Sequence, residues 1–159
     1  MSQVDRHLQV AIGYLELGML EEANNEIECI PPDQKNSSEV LGVRMEIYRA
    51  AEKWTLMEVV AKELWKRHQD QPVFWNHHAY AVRRSTGLEE AHKILSEALE
   101  KFPDDDLTLF NFGCYECQLG NLESAKARVG RAIKLDPQWK IHALDDPDLE
   151  PLWEMWSQT

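Results

Sequence analysis

TGLEEAHKILSEALEKFPDD, residues 86–105, returns in lightly altered form as GNLESAKARVGRAIKLDPQW, residues 120–139. At this offset of 34 residues six positions keep their character: Leu88 with Leu122, Ala91 with Ala125, Leu95 with Val129, Ala98 with Ala132, Leu99 with Ile133 and Pro103 with Pro137. A period of this length is typical of stacked helical hairpins, in which each hairpin buries its apolar face only against its neighbours.

The same period divides most of the chain without an insertion or a deletion. It places repeat frames at residues 4–37, 38–71, 72–105 and 106–139. Within a frame the apolar residues recur in steps of three and four, which is helical spacing. Turn and breaker residues fall where a helical hairpin turns and stops, at Gly18, Gly87, Gly120, Pro31, Pro32, Pro103 and Pro137. The sequence therefore predicts an all-α protein built from four helical hairpins.

Frames one, three and four resemble the tetratricopeptide repeat (TPR). That family has small residues at frame positions 8 and 20, a large residue near position 11 and proline near position 32. The matching residues are Ala11, Tyr14, Gly18 and Ala23 in frame one, Trp75, Ala79, Ala91 and Pro103 in frame three, and Gly113, Gly120, Ala125 and Pro137 in frame four. Frame two departs, because Met45 and Met57 occupy the small positions, and we expect them to spread the hairpin or to require repacking. The resemblance implies a right-handed solenoid of four TPR hairpins.

Residues 140–159 fall outside the period and are expected to form a C-terminal capping helix. Asp146 is a suitable N-cap, and Pro147 and Asp148 suit a first helical turn. One face of this helix then carries Leu149, Leu152, Trp153 and Trp156. A stack of hairpins needs its last apolar face covered, so we expect the helix to pack on frame four. The alternative is that the tryptophan-rich helix binds a partner.

Composition limits the classes of function. Of the 159 residues 43% are hydrophobic and 28% are charged, with 7 glycines and 7 prolines, which is typical of an ordered globular domain. A formal net charge of -11 disfavours nucleic acid and anionic membrane surfaces, because binding to both relies on Lys and Arg. No apolar run approaches the roughly 20 residues that cross a bilayer, and the start MSQVDRHLQV lacks a signal pattern. We therefore expect a cytoplasmic protein with no nucleic-acid or membrane partner.

The sequence offers little that points to catalysis, a cofactor or a metal. Cys114 and Cys117 form a C-x-x-C, but they lie mid-helix without a second ligand pair, so core packing is their expected role. Cys29 makes the cysteine count odd, which favours reduced thiols. His77 is a lone candidate ligand. Since no spacing assembles a nucleophile, a base and an oxyanion site, we expect no enzyme activity, no cofactor and no metal site.

In TPR proteins the first helices of successive repeats line a concave groove that binds partners. Carried over position by position, the resemblance assigns to this groove Leu8, Ile12, Val43, Glu46, Arg49, Asn76, His77, Tyr80, Arg83, Arg84, Phe110, Asn111, Cys114 and Gln118. The positions at which some family members grip a C-terminal carboxylate hold other residues here, so such a clamp is not expected. A fitting partner segment has an apolar anchor over Leu8, Ile12 and Val43. Its acidic group would meet the guanidinium of Arg49 or Arg83.

Three functions remain open on the sequence. The first, which we expect, is a non-enzymatic scaffold that binds a peptide or protein segment in the groove, as the resemblance implies. The second is a small chaperone similar to the TPR secretion chaperones of bacteria. The third is an assembly unit that forms a weak homo-oligomer through the exposed edge of frame one. The acidic second helix of frame one and the basic second helix of frame four suit this third function.

Overall fold

The computed structural model describes residues 1–157, and every regular element in that range is helical. Four helical pairs come first: α1 (Gln3–Glu16) with α2 (Leu20–Glu28), α3 (Ser38–Ala50) with α4 (Trp54–Arg67), α5 (Pro72–Ser85) with α6 (Leu88–Lys101), and α7 (Asp106–Gln118) with α8 (Leu122–Leu135). The chain continues with α9 (Trp139–Asp145), a 3-10 turn (Pro147–Leu149) and α10 (Glu150–Ser157). The predicted all-α class is confirmed, while Gln158 and Thr159 of the predicted cap lie outside the described residues. Within residues 1–157, no helix combines the length and the hydropathy that a bilayer-spanning segment needs.

The first helices of the pairs begin at residues that suit helix N-termini. Ser2 forms a reciprocal capping box with Asp5 at the start of α1, and the side chains of Ser37 and Asp105 cap α3 and α7. Pro72 occupies the first turn of α5, where its missing N–H leaves no helical hydrogen bond unmade. These local signals determine where the four helices start and so which faces they present.

A left-handed residue ends the first helix in three of the pairs. Gly18, Glu52 and Gly120 have φ angles of 74°, 55° and 87°. The next backbone N–H in each turn bonds at 2.9 Å to the carbonyl five residues earlier, from Met19 to Tyr14, from Lys53 to Tyr48 and from Asn121 to Glu116. These are Schellman turns, which close a helix and reverse the chain. Because glycine adopts a positive φ without strain, Glu52 alone of the three carries a steric penalty.

The chain divides into two compact units, residues 1–68 and the residues from Gln69 onward. The core cluster of the first unit is formed by the helices α1, α2 and α3 together with the turn after α2. It consists of Ala11, Ala23, Ile27, Ile30, Val40 and Ile47. Ala11 and Ala23 have no exposed surface. Their small side chains let α1 and α2 approach closely, as the repeat pattern requires.

In the second unit α7 is the central helix. All residues from Thr108 to Cys117 are buried except Asn111, which is half-buried. α7 packs against α5, α6 and α8, and one apolar core extends through them to include Leu95, Leu109, Val129, Leu149 and Leu152. A helix that is enclosed on nearly all sides is a core helix, and it holds the residues on its remaining surface in fixed positions.

The two methionines of frame two are both buried, although they stand where small residues are expected. α3 and α4 form a hairpin around Met45 and Met57, but they pack less extensively than the other three pairs. The α7–α8 pair has Gly113 and Ala125 at the equivalent positions and packs most extensively. Smaller residues at these two positions therefore accompany more extensive packing between the paired helices.

The C-terminal segment is more broken than the single capping helix that the sequence predicts. α9 ends before Asp146, whose side chain accepts the N–H of Asp148 and so caps the 3-10 turn. Pro147 cannot donate a hydrogen bond back into α9, which separates the two helices. Leu149 and Leu152 have no exposed surface and belong to the core of the second unit.

Candidate functional site

The predicted groove residues lie on the first helix of each helical pair. In the first unit these are Leu8 and Ile12 on α1 and Val43, Glu46 and Arg49 on α3. In the second unit they are Asn76, His77, Tyr80, Arg83 and Arg84 on α5 and Phe110, Asn111, Cys114 and Gln118 on α7. Each unit presents its own set of contacts, and the two sets differ in how far the chain itself already uses them.

In the first unit α1 and α3 pack together and present a partly apolar surface. Leu8 and Val43 are half-buried against the core, whereas Ile12 is 41% exposed. We call these three residues the α1–α3 patch. Near the end of α3, Nε and Nη2 of Arg49 donate to Oε2 of Glu46 at 3.0 and 2.5 Å. The Arg49 guanidinium therefore already has a carboxylate partner on its own helix.

In the second unit Asn76 and Asn111 join α5 to α7. Asn76 is only 5% exposed, and its Nδ2 donates to the carbonyl oxygen of Pro72 at 2.9 Å and to Oγ1 of Thr108 at 2.8 Å. Its Oδ1 accepts Nδ2 of Asn111 at 2.8 Å, and the Thr108 hydroxyl donates to Oδ2 of Asp105 at 2.6 Å. A buried amide with its polar atoms satisfied in this way stabilises the fold. Asn76 thus has an internal role, where the repeat pattern predicts contact with a partner.

Arg83 is bound to an aspartate of the C-terminal segment of its own chain. Its Nη1 lies 2.5 Å from Oδ2 of Asp148 and its Nη2 lies 2.9 Å from Oδ1, a two-bond ion pair between residues 65 apart in sequence. The guanidinium carbon also lies 5.0 Å from the centre of the Tyr115 ring. The pKa of Arg83 is raised, chiefly because the hydrogen bond to Asp148 favours the charged form. The chain itself thus supplies the acidic group that the repeat pattern assigns to a partner.

Two more predicted groove residues contact the same segment. Nε2 of Gln118 donates to the backbone oxygen of Asp148 at 2.8 Å, and the thiol of Cys114 donates to Oδ2 of Asp146, with the sulfur 3.6 Å from that oxygen. Cys114 and Gln118 are one turn apart on α7, so they share a face. We call Arg83, Cys114 and Gln118 the α5–α7 site, and residues 146–149 the resident segment.

Sequence reasoning missed the part that the resident segment plays. It treats Asp146 only as a helix cap and gives Asp148 a place only in the first turn of the capping helix. The available signal is the Asp-Pro-Asp turn itself, which places two carboxylates in a short segment directly after the last repeat. In a chain whose last repeats carry Arg83, such a turn is a candidate ligand for a guanidinium.

Phe110 contributes to packing beneath the C-terminal segment. It is 4% exposed, and its ring stacks on that of Trp139 with the ring centres 4.5 Å apart. Nε1 of Trp139 donates to Oδ2 of Asp106 at 2.6 Å, which fixes the indole over the start of α7. Phe110 therefore lies in an aromatic pair within the unit and does not present its ring to a partner.

The remaining predicted residues of α5 stay at the surface. Tyr80 is 36% exposed, and Arg84 is exposed as well. His77 is half-buried and makes an edge-on contact with the ring of Phe74, with ring centres 6.4 Å apart. Tyr80 and Arg84 are thus the predicted groove residues of α5 that a partner reaches most readily.

Within the described part of the chain, one group of side chains brings three potential metal ligands together. Sγ of Cys114 and carboxylate oxygens of Asp146 and Asp148 lie within 4.8 Å of one another. Burial and the two carboxylates raise the pKa of the Cys114 thiol, whereas a metal binds the thiolate. Both oxygens of Asp148 are bonded to Arg83, whose positive charge compensates the carboxylates. The cluster therefore fits an ion pair with a thiol donor better than a metal or redox centre.

No protein-family model matches the sequence, and no curated protein matches it either. Several solved structures match in fold. PilF of Pseudomonas aeruginosa is 18% identical with a TM-score of 0.75, over 98% of this chain and 70% of that chain. TTC0263, a thermophilic TPR protein of Thermus thermophilus, is 16% identical with a TM-score of 0.72, over 96% and 82%. YrrB, described as a TPR protein with an unusual peptide-binding site, is 15% identical with a TM-score of 0.70, over 90% and 75%.

The hairpins, their turns and these likenesses define an all-α helical-repeat protein. Its repeats have the tetratricopeptide fold, as the sequence pattern predicts. Identities of 15 to 18% establish the fold alone, so the function must be argued from the residues on the helices.

Proposed function

We propose that the protein is a non-enzymatic interaction scaffold that binds a segment of a partner protein on the faces of its first helices. The strongest support is the α5–α7 site, which holds a polypeptide segment through a guanidinium, an amide and a thiol. Contacts of this kind, to side-chain carboxylates and to a backbone carbonyl, are the chemistry of peptide recognition. The fold adds support, since the structurally similar YrrB is described as having a peptide-binding site.

The proposal takes residues 4–139 as four repeats, with frames at 4–37, 38–71, 72–105 and 106–139 and a cap at 140–159. The helices α1, α3, α5 and α7 are then the first helices, on which partner contacts are expected. The Cys114 thiol is poorly suited to act as a nucleophile in this protein, because burial raises its pKa and its neighbouring carboxylates are hydrogen-bonded within the chain.

The α1–α3 patch is the proposed first contact for the partner. Its apolar surface is accessible at Ile12, whereas most predicted residues of the second unit are occupied by internal bonds. Covering apolar surface contributes about 25 cal/mol per Å², so an apolar side chain of the partner gains most at this patch. An acidic group of the partner would have to replace Glu46 before it could reach Arg49.

The test uses a photo-cross-linking amino acid at Ile12 and, in a second variant, at Val59. Val59 is the matched control because it is an apolar residue, 65% exposed, on the second helix α4. We expect a specific protein to be cross-linked at Ile12 and not at Val59. Mapping of the cross-linked peptide then gives the bound segment of the partner.

Substitution provides the complementary measurement. Ile12→Asp places a charge on the α1–α3 patch and should abolish capture of the cross-linked partner, while Val59→Asp adds the same charge elsewhere and should leave capture intact. Equal capture by both variants would show that the first-helix face of this unit does not bind the partner.

A further inference from the structure

The resident segment is held in the α5–α7 site much as a peptide is held by a receptor. Arg83 binds the carboxylate of Asp148 through two nitrogen atoms, and Gln118 binds the backbone oxygen of the same residue. Cys114 binds a second carboxylate, that of Asp146, two positions earlier. The site therefore recognises a pattern of two acids and a carbonyl, which is more than a single surface ion pair.

The resident segment is also organised by its own bonds. The Asp146 carboxylate accepts the N–H of Asp148 at 2.9 Å, and the Asp146 carbonyl accepts the N–H of Leu149 at 3.0 Å. Pro147 restricts the backbone further by fixing its φ. A turn that is preformed loses little conformational entropy on binding, so a short peptide of this sequence can bind in the same shape.

The ion pair of the resident segment can break while its buried leucines stay in the core. The side chains of Arg83 and Asp148 keep 23% and 25% of their exposure, so water and other carboxylates reach the ion pair. Leu149 and Leu152, by contrast, have no exposed surface. Exchange of the acidic group at Arg83 therefore need not remove the leucines from the core.

We propose that the α5–α7 site is a receptor for an acidic turn and that the resident segment is its competitor in the same chain. The ligand class is a peptide with an Asp-x-Asp turn, the chemistry that residues 146–148 display. The inference rests on the scaffold function proposed above and adds a second, gated contact to it. A partner reaches Arg83 only after Asp148 has left it.

The expected size of the effect follows from competition within one chain. A tethered competitor has a high effective concentration, and the apparent affinity for an outside ligand falls by the fraction of molecules whose site is open. If the site is open in about one molecule in ten or fewer, release of Asp148 from Arg83 raises the affinity at least about tenfold.

The experiment measures binding of a fluorescein-labelled synthetic peptide, LDDPDLEP, the sequence of residues 144–151. Fluorescence anisotropy gives its Kd for the full chain and for Asp148→Asn, which keeps the side-chain size and removes the charge. Glu150→Gln is the matched control, because it removes an exposed charge from the same part of the chain. We expect Asp148→Asn to bind the peptide at least about tenfold more tightly than the wild type and Glu150→Gln to bind like the wild type.

Two further variants make the outcome decisive. Arg83→Gln in the Asp148→Asn background should abolish binding, since the guanidinium receives the peptide carboxylate. Asp146→Asn weakens the same turn and should also increase binding, which covers the case in which Asp148→Asn does not fold. The proposal is overturned if neither folded Asp variant binds more tightly than the wild type, or if binding survives Arg83→Gln. A protein that fails here but still cross-links its partner at Ile12 keeps the scaffold function and loses only the gated site.

Discussion

Gly113 lies so close to Val129 that a Cβ atom at position 113 would come within 2.6 Å of Cγ2 of Val129. The same atom would lie 3.3 Å from the carbonyl oxygen of Ala125 and 3.3 Å from the backbone N of Val129. This is the frame position at which the repeat pattern requires a small residue. The glycine lets α7 and α8 pack more extensively than the helices of the other three pairs.

Gly113→Ala is therefore expected to lower the free energy of unfolding by about 1–3 kcal/mol, because α7 and α8 must move apart to admit the methyl group. Urea unfolding followed by circular dichroism measures the change. Gly130→Ala is the matched control on α8: a Cβ there has no neighbour within 4 Å, so it should stabilise by roughly 0.5–1 kcal/mol. If Gly113→Ala were as stable as the wild type, the close approach of the two helices would not be required.

The turn between α3 and α4 contains a strained residue that can be relieved. Glu52 has φ of 55°, where the equivalent turns have Gly18 and Gly120. Glu52→Gly should stabilise the protein by about 0.5–1 kcal/mol, because the left-handed penalty exceeds the extra freedom of glycine in the unfolded chain. Gly18→Ala should do the reverse, at about 1 kcal/mol. A fall in Tm with Glu52→Gly would contradict the strain.

Asn76 should matter for stability more than for binding. Asn76→Ala leaves the Thr108 hydroxyl and the Asn111 amide without their shared partner, and we expect a loss of about 1–3 kcal/mol in the free energy of unfolding. Asn111→Ala removes one bond at a half-buried position and should have a smaller effect. Chemical denaturation distinguishes the two variants, and equal losses would show that the buried Asn76 contributes no more to stability than the half-buried Asn111.

The cysteines should differ sharply in reactivity. Cys29 is exposed, whereas Cys114 and Cys117 are buried, and burial raises the pKa of both buried thiols. Since the thiolate is the reactive form, iodoacetamide at pH 8 should modify Cys29 in the folded protein and all three thiols in urea. Mass spectrometry of tryptic peptides measures the extent at each site. Modification of Cys114 as fast as Cys29 would mean that the C-terminal segment does not cover it.

Stability should fall at alkaline pH. The pKa values of Cys114 and Tyr115 are raised in the folded protein, chiefly by burial, so both groups stay protonated when an unfolded thiol, with a pKa of about 8.5, ionises. Above that pH the unfolded state loses the Cys114 proton that the folded state keeps, and the free energy of unfolding decreases by up to about 1.4 kcal/mol per pH unit. Tyr115 adds a similar slope only above about pH 10, where an unfolded tyrosine ionises.

Denaturation curves between pH 7 and pH 10 measure this slope. Cys114→Ala should flatten it, because the variant lacks one of the groups that ionises only on unfolding. An unchanged slope in Cys114→Ala would show that its thiol ionises as readily in the folded protein.

The fold could be predicted from the sequence because its determinants are local and periodic. Pairs such as Leu88 and Leu122 repeat the same helical face, and Gly18 and Gly120 mark turns that need a positive φ. The turn at Glu52 could not be recognised in this way, since its residue type disfavours the conformation that it adopts. The break of the C-terminal segment into two helices could not be predicted from the repeat pattern either, because this segment occurs only once in the chain.

The contacts of the site are harder to predict from the sequence, because the family pattern places residues on a helix face without saying what covers that face. Asn76 was assigned to a partner, but the Thr108 hydroxyl on α7 lies opposite and binds it. The sequence also leads us to expect a partner's acidic group near Arg83, and in the structure the carboxylate of Asp148 from the same chain binds that guanidinium. Asp148 lies 65 residues after Arg83 in the sequence and outside the repeats. The 34-residue period therefore cannot predict that the two side chains meet.

The burial of α7 has a kinetic consequence. Cys114 and Gln118 lie on α7, the most extensively buried helix of the described chain, and we expect its amide hydrogens to exchange only when a large part of the unit unfolds. The backbone of α7 is therefore in place before a partner binds, so ordering of this helix does not oppose association. If a partner reaches Arg83 only after Asp148 has left it, capture at this site cannot be faster than the release of Asp148, so the C-terminal turn, and not the repeats, limits the rate of association.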